Sequence, residues 1–354
     1  MSPTTTPVTA AEEDAMLLAL ELAGRGVRGA NPLVGAVLLN SNGDTLGEGY
    51  HSGAGTPHAE SSALAAARER GHDPLGATMV VTLEPCDHTG RTGPCSGALI
   101  EAGIARVVYA AADVNGAAAG GAERLRAAGI DCVGGLDADL SRDLNARWST
   151  AVAEARPFVT LKSAQSLDGR VAAADGTSQW ITGPDARTDG HRIRALADAV
   201  LVGTGTVLAD DPRLTARPGA AADPTPGSTS LRVVMGLTPV PGDAAIRGPG
   251  FLHLPTHDVG RVLDELYGRG IRHLLVEGGP RIAAAFLRAG VVDELFSYVA
   301  PLILGDGAPA FPDLAVATLD DATRWILDDG GGPGVRRLGH DLRVHLRPGR
   351  SITS

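Results

Sequence analysis

His58, Glu60, Cys86 and Cys95 are the residues whose types and spacing can do chemistry together. One imidazole and two thiolates form a zinc-binding set that leaves the fourth position open for water, the pattern of a catalytic site. Zinc held in this way brings the pKa of water to roughly 7, so that hydroxide is available at neutral pH. Glu60 is not needed as a ligand, and it can take the water's proton and pass it to a leaving group. Positions 58 and 60 would diverge in mid-helix, but at a first turn both can border a pocket off the helix end. Two other readings stay open. His88 could close the metal shell as a fourth ligand, and an ordinary core explains each residue taken alone. The eight residues between Cys86 and Cys95, which include Arg91 and Thr92, do not prevent a shared metal, because ligands need only converge in space.

The surrounding elements must bring these residues to one place. HAESSALAAARERG reads as a helix from His58 to a stop at Gly71, ATMVVTLEPC as a buried strand ending near Cys86, and PCSGALIEAGI as a helix beginning at Cys95. RVVYAAADV is a further strand, followed by the helix GGAERLRAAGI and the short strand DCVGG, where Cys132 reads as a core thiol. Upstream, Thr9 and Glu12 spell a capping box for a helix with Ala15, Leu18 and Leu22 on its apolar stripe. LVGAVLLN, the turn SNGD and TLGEGYH read as a hairpin. Strands alternating with helices predict a three-layer α/β/α domain with a largely parallel sheet. In such a sheet, strand ends and helix N-termini converge at one edge. LSRDLNARWSTAVAEARP reads as a closing helix, and the domains are expected at 1–150 and 151–354.

In the second half, PFVTLKSAQSLDGR, DAVLVGTGTVLADDP, SLRVVMG and IRHLLVEGG read as strands, with helices near 185–197, 258–269 and 280–290 and a loop over 217–230. No strand is evident between FLHLP and the next helix. This half carries no GxGxxG, so a Rossmann site here has no support. VEGGPRIAAAFL offers instead Glu277, two glycines and a helix start, where a phosphate can be held. A strand-GG-helix run is also an ordinary tight connection, Asp168-Gly169 and Asp210-Asp211-Pro212 also read as turns, and Trp180 as a core or interface aromatic.

The chain has 354 residues, which suggests two domains. Its net charge of −10 argues against a nucleic-acid partner. No run of about eighteen apolar residues spans a membrane. MSPTTTPVTAAEED has no signal-peptide pattern, so a cytoplasmic protein is expected. Three cysteines are not a disulfide framework. Of 31 lysines and arginines, Lys162 is the only lysine. That position either needs a compact point charge or keeps its lysine by chance.

NPLVGAVL, GEGYH, HAE and TLEPCDHTGRTGPC, in that order, resemble the deaminase domain of the bifunctional riboflavin-biosynthesis deaminase/reductase family, RibD. Cytidine and tRNA-adenosine deaminases have only two residues between the cysteines. The resemblance implies a cytidine-deaminase-like domain with one zinc on His58, Cys86 and Cys95, and Glu60 as proton shuttle. It implies that Asn31, His51, His88 and Arg91 surround a phosphoribosylaminopyrimidine. Where the family shows Asp-Pro-Asn-Pro, this chain has Asp113-Val114-Asn115-Gly116. KSAQSLDGR, SQWITGPDAR, VLVGTGTVLADDPRLTAR and LLVEGGP resemble the reductase domain of the same family, which is similar to dihydrofolate reductase and uses NADPH. Carried onto matching positions, this implies NADPH contacts at Ala164, Trp180, Thr206, Asp210 and Gly279. It implies substrate contacts at Ser178, Arg194, Leu214, Arg217 and Glu277, with both arginines suited to a phosphate. Lys162 would polarise or protonate the opened sugar's imine. The family's Leu-Ala-Met and Asp-Ser are replaced here by Ser163-Ala164-Gln165 and Met235-Gly236, and the stretch before IRHLLVEGG is shortened.

The expected protein deaminates 2,5-diamino-6-(5-phosphoribosylamino)pyrimidin-4(3H)-one at zinc, reduces the product's ribosyl group with NADPH, and forms a homo-oligomer, a dimer or tetramer. Two alternatives remain: a deaminase with a weak or structural C-terminal domain, and a nucleic-acid base deaminase.

Overall fold

The computed structural model describes residues 6–88, 93–116, 119–216, 230–330 and 332–349. The chain divides into two compact units, Met1–Ala155 and Arg156–Ser354.

The first unit contains α1 (Ala10–Ala23), β1 (Gly35–Leu39), β2 (Thr45–Tyr50), α2 (Ala59–Glu69), β3 (Thr78–Leu83), α3 (Cys95–Glu101), β4 (Arg106–Ala111), α4 (Gly121–Ala127), β5 (Asp131–Gly134) and α5 (Ala138–Glu154). A division at 150/151 would cut α5. The sheet runs β2-β1-β3-β4-β5. It is mixed and not largely parallel: β3, β4 and β5 run parallel, while β1 is antiparallel to both β2 and β3. The cause is the short turn after Leu39, since a tight hairpin can join only antiparallel strands.

Helices cover both faces. Ala15, Met16, Ala19 and Leu22 of α1 pack on Val37, Val80 and Val108, while Ala63, Leu99 and Leu125 pack on Leu38, Met79 and Val107 from the other side. The Thr9 capping box is present, with Glu12 N donating to Thr9 Oγ1 and Glu12 Oε2 accepting from Thr9 N. Gly49 sets the position of α2 on the sheet, because a Cβ there would lie 2.4 Å from Ala59 O. That close approach holds the first turn of α2, and so Glu60, at the strand edge.

One buried ion cluster ties the first helix to the sheet. Arg106 Nε donates to Glu12 Oε1 at 2.7 Å, Nη1 donates to Asp131, and Nη2 donates to the Thr6 and Pro7 carbonyls. The arginine and Glu12 side chains are 11% and 5% exposed. Arg106→Ala would therefore strand a buried carboxylate, and it is expected to cost about 3 kcal/mol. Urea denaturation of the whole chain checks this, and an unchanged midpoint would contradict it.

The second unit contains β6 (Phe158–Ser166), β7 (Arg170–Ala172), α6 (Pro184–Ala195), β8 (Ala199–Gly203), α7 (Thr204–Asp210), β9 (Leu231–Met235), β10 (Phe251–Leu254), α8 (Val259–Gly268), β11 (His273–Val276), α9 (Pro280–Arg288), β12 (Glu294–Ala300), β13 (Ala308–Pro309), β14 (Trp325–Leu327), β15 (Val335–Leu338) and β16 (Asp341–Pro348). Its main sheet runs β10-β9-β8-β11-β6-β12-β16-β14, with β15 also on β16. From β10 to β12 every pair is parallel, and β16 then runs antiparallel to β12, β14 and β15. Helices α8 and α9 pack on one face, with Val262, Leu266, Ala283 and Phe286 against Leu161, Leu201 and Leu274. On the other face α6 packs Ala186 and Ile193 against Val200, Leu275 and Tyr298.

DAVLVGTGTVLADDP is not one strand. Only Ala199–Gly203 is extended, and Thr204–Asp210 is helical. Gly203 is the hinge: it is extended (φ −83°, ψ 157°), and a Cβ there would meet Ile282 at 2.8 Å.

Candidate active sites

In the first unit the zinc-type residues meet where β3 ends and α2 and α3 begin. His58 is the N-cap residue of α2, and its side chain makes no capping bond, which leaves the imidazole for the cysteines. Its Nδ1 lies 3.6 Å from Cys86 Sγ and 3.3 Å from Cys95 Sγ. One donor atom from each of the three residues falls within a 4.8 Å cluster. Cys95 is the first residue of α3; its N–H donates to Cys86 Sγ at 3.5 Å and Ser96 N–H donates to the Cys86 carbonyl. The Cys95 amide and the imidazole, both on the sulfur, fit a thiolate at Cys86. Hydrogen bonding from Cys95, and then from His58, pulls the Cys86 thiol pKa well down, while its partner Cys95 is pushed up. One nitrogen and two sulfurs suit zinc with an open position.

Glu60 is 4% exposed, and burial pushes its carboxyl pKa up. It sits against the Cys95 side chain. His88 is not part of the metal-type cluster. It lines the adjoining cleft, and its Nδ1 is buried without a partner among the described residues. A buried nitrogen left without a partner beside a cleft is a candidate for a bound polar group.

That cleft is about 130 Å³ and is lined by Asn31, His51, His58, Glu60, Cys86 and His88 among others. Asn31 Nδ2 is 2.9 Å from His51 Nε2, and His51 Nδ1 is 3.1 Å from the Pro57 carbonyl. This network assigns a neutral His51 with its proton on Nδ1, and burial lowers the His51 pKa in agreement. Arg91 lies outside the described residues. The sequence reading had given no role to Glu84, Trp148 or Asn145. Glu84 and Trp148 line the cleft beside Asp113 and Asn115. Glu84 accepts from the Asp113 and Ala122 amides. Asn145 bonds both the N–H and the carbonyl of Leu33, and Trp148 Nε1 donates to the Ala30 carbonyl. Helix α5 thereby pins the loop that carries Asn31. The spacing of Asn145 and Trp148, three residues apart on one helix face, was the available signal.

In the second unit, Lys162 and Ala164 point from β6 toward α6, and Glu277 follows β11 on the same side. Arg194 of α6 forks onto Glu277 through Nε and Nη2, both at 2.9 Å, and its Nη1 donates to the Thr215 carbonyl. The two-pronged face expected to take a phosphate is thus used on a carboxylate. Burial alone would raise the Glu277 pKa, but Arg194 and Lys162 outweigh it and hold the group below the usual range. Lys162 Nζ is 4.0 Å from Glu277 Oε2. Thr206 Oγ1 accepts from Gly279 N–H at 3.2 Å, so these two expected cofactor residues meet at the start of α9. Gly278 allows that meeting, since a Cβ there would lie 2.6 Å from Ile282.

The other expected residues are placed less closely. Trp180 is 70% exposed and stacks with Arg187. Ser178 is half-buried, and Asp210 is exposed at the end of α7. None of these three has a described bond to Thr206 or Gly279. Leu214 has φ +50° and is buried in the core beneath α6, so only its backbone can face a ligand. Arg217 lies outside the described residues.

Residues 9–111 match the family described as the cytidine and deoxycytidylate deaminase zinc-binding region, and residues 157–329 match the RibD C-terminal domain. Riboflavin biosynthesis protein RibD of Mycobacterium tuberculosis is 45% identical over 94% of this chain and 96% of its own length. The protein of the same name from Escherichia coli K12 is 39% identical over 95% and 99%. Among solved structures, Acinetobacter baumannii RibD aligns with a TM-score of 0.85 at 36% identity, covering 96% of this chain and 99% of that one. A diaminohydroxyphosphoribosylaminopyrimidine deaminase/5-amino-6-(5-phosphoribosylamino)uracil reductase from Thermotoga maritima aligns with a TM-score of 0.77 at 33% identity, covering 96% and 99%.

Proposed function

The chain belongs to the RibD family, zinc-dependent deaminases joined to NADPH-dependent reductases of riboflavin biosynthesis, and from that premise we propose which residues do the work. The first unit deaminates 2,5-diamino-6-(5-phosphoribosylamino)pyrimidin-4(3H)-one, and the second reduces the ribosyl group of the product to ribityl. The observation that carries the first assignment is the convergence of His58, Cys86 and Cys95 beside a buried Glu60.

Zinc on those three residues would supply a Lewis acid that brings water's pKa toward neutrality. Glu60, lodged at the first turn of α2, carries one proton from the attacking water to the ring nitrogen and then a second, from the hydroxyl left on the carbon, to the departing amine. His51, neutral and locked by Pro57, fixes the Asn31 amide. The amide's oxygen then offers an acceptor to the pyrimidine's N–H groups. His88 satisfies its buried Nδ1 on the substrate. Arg91 is kept for the ribose phosphate.

NADPH would supply a hydride in the second unit. The amides at the start of α9, aligned by Thr206 on Gly279, suit the cofactor's pyrophosphate. Ala164, Trp180 and Asp210 complete its site in this reading. Lys162 polarises the imine of the opened sugar, with Glu277 and Arg194 shaping the floor beside it. Arg217 is the better phosphate ligand of the two arginines, because the Arg194 fork is engaged. Ser178 and the Leu214 backbone border the same substrate. Among the described residues no helix is long and apolar enough to cross a membrane. Thiolate ligands suit a reducing compartment, which supports the cytoplasm. The net charge of −10 continues to argue against nucleic acid, and a homo-oligomer remains part of the reading.

The test is product identity. Given the diaminopyrimidine ribotide alone, the chain should release ammonia and stop at the deaminated ribosyl compound; with NADPH it should yield the ribityl compound, both read by mass spectrometry. Cys95→Ser should lower bound zinc and abolish deamination, while NADPH oxidation on supplied deaminated substrate persists. Deamination at the full rate in that variant, or after complete zinc chelation, would remove the metal assignment.

A further inference from the structure

Beneath α6, polar side chains follow a diagonal across four adjacent strands: Glu277 after β11, Lys162 on β6, Tyr298 on β12, two residues beyond the register partner Phe296 of Lys162, and Arg343 on β16. Register places Ala164 opposite Tyr298, and Tyr298 opposite Arg343. Lys162 Nζ lies 5.6 Å from the Tyr298 ring centroid, within cation–π range. Tyr298 is 1% exposed, Asp189 4% and Arg343 9%. The Tyr298 hydroxyl donates to Asp189 Oδ2 at 2.7 Å, and Arg343 Nη1 donates to the same oxygen at 3.2 Å. Gly190, next to Asp189 on α6, covers the lysine stem, and a Cβ there would stand 3.7 Å from Lys162 Cε.

The charges in this row are unevenly matched. Glu277 is forked by Arg194, and Asp189 is paired with Arg343. Among the described residues, Lys162 has its 4.0 Å contact with Glu277 and the face of one ring. A ring attracts an ammonium without accepting a proton or engaging it in a short ion pair, so the cation is held in place but not consumed. The phenol hydroxyl is needed to lock that ring against Asp189. Burial, then the neighbouring Asp189 charge, pushes the Tyr298 pKa up, so the phenol keeps its proton and acts as an anchor.

We propose that Tyr298, locked by Asp189 and Arg343, is a positioning residue that aims the Lys162 ammonium for the reduction. This rests on the reading of Lys162 as the group that polarises the imine.

Because Lys162 is the only lysine, reductive methylation with ¹³C-formaldehyde places a single side-chain dimethylamine signal at that site. In the whole chain this signal should be shifted upfield by the Tyr298 ring. In Tyr298→Leu the shift should vanish and kcat for NADPH oxidation should fall roughly 10-fold, with KM for NADPH nearly unchanged. Tyr298→Phe, which keeps the ring but loses its lock on Asp189, should recover part of both. Equal rates in the Leu variant and the unsubstituted chain, or equal losses in the Phe and Leu variants, would overturn the proposal. If the Leu variant does not fold, Asp189→Asn takes its place: a moved signal with a reduced kcat supports the proposal, and an unmoved signal with an unchanged kcat overturns it. Lys162→Arg is run alongside. An unaffected rate there removes the underlying reading of Lys162, whereas a loss there with none in the Tyr298 variants removes only the positioning role.

Discussion

Glu60→Gln is expected to abolish deamination while leaving zinc in place. The kcat for ammonia release should fall roughly 10³-fold, the scale of losing a positioned acid–base group. Glu60 is buried at the first turn of α2, two residues from His58, whose imidazole faces both cysteines. A carboxamide of nearly the same shape can fill that space without carrying a proton from water to the ring nitrogen. Zinc content by atomic absorption should match the unsubstituted chain, since Glu60 is not among the three clustered donors. NADPH oxidation on supplied deaminated substrate should also be unchanged. Full deamination would defeat the shuttle role; loss of zinc would mean that the carboxylate acts by holding the metal site together.

This site was legible in the sequence because its residues stand at element boundaries. His58 precedes an apolar-periodic helix, Cys95 opens another, and Cys86 follows a run of buried β-formers, so local patterns alone place them at a sheet edge. The Thr9–Glu12 box and the SNGD hairpin were readable for the same reason. Side chains that act across the sheet were harder to read. Tyr298 lies in ELFSYVA, a strand with no motif, and its partners Asp189 and Arg343 stand 109 and 154 residues from Tyr298 and Asp189 respectively. In the antiparallel segment β14–β16, β14 and β15 are short and largely exposed and gave no signal, whereas the alternation of Leu342, Val344 and Leu346 with Arg343, His345 and Arg347 in β16 was a readable strand pattern. TGTVLAD looked like a continuing strand through its β-branched Thr and Val residues. Gly203 and the closeness of Ile282 turned it into a helix, a tertiary effect that overrides local propensity. Arg194 illustrates the limit for charges. Its type suited a phosphate, but its neighbour Glu277 becomes visible only once β11 is threaded between β8 and β6.

Lys162→Arg is expected to cripple reduction, with kcat for NADPH oxidation falling about 10²-fold while deamination in the other unit proceeds. Charge is conserved in this substitution, so a loss must come from shape or from the guanidinium's reluctance to give up a proton. Lys162 occupies a slot with Glu277 on one side, the Tyr298 ring on the other and Gly190 over its stem. An ammonium is a compact point charge that fits between an anion and a ring; a guanidinium is a broad planar fork that prefers two-pronged pairing. Glu277 already holds one such fork from Arg194. A second arginine would compete for that carboxylate and swing its charge away from the imine. The measurement is NADPH absorbance with supplied deaminated substrate, paired with a thermal-shift titration of NADPH. Retained binding with lost turnover places the defect in the chemistry. An unchanged oxidation rate would mean that the only lysine in the chain is there by chance.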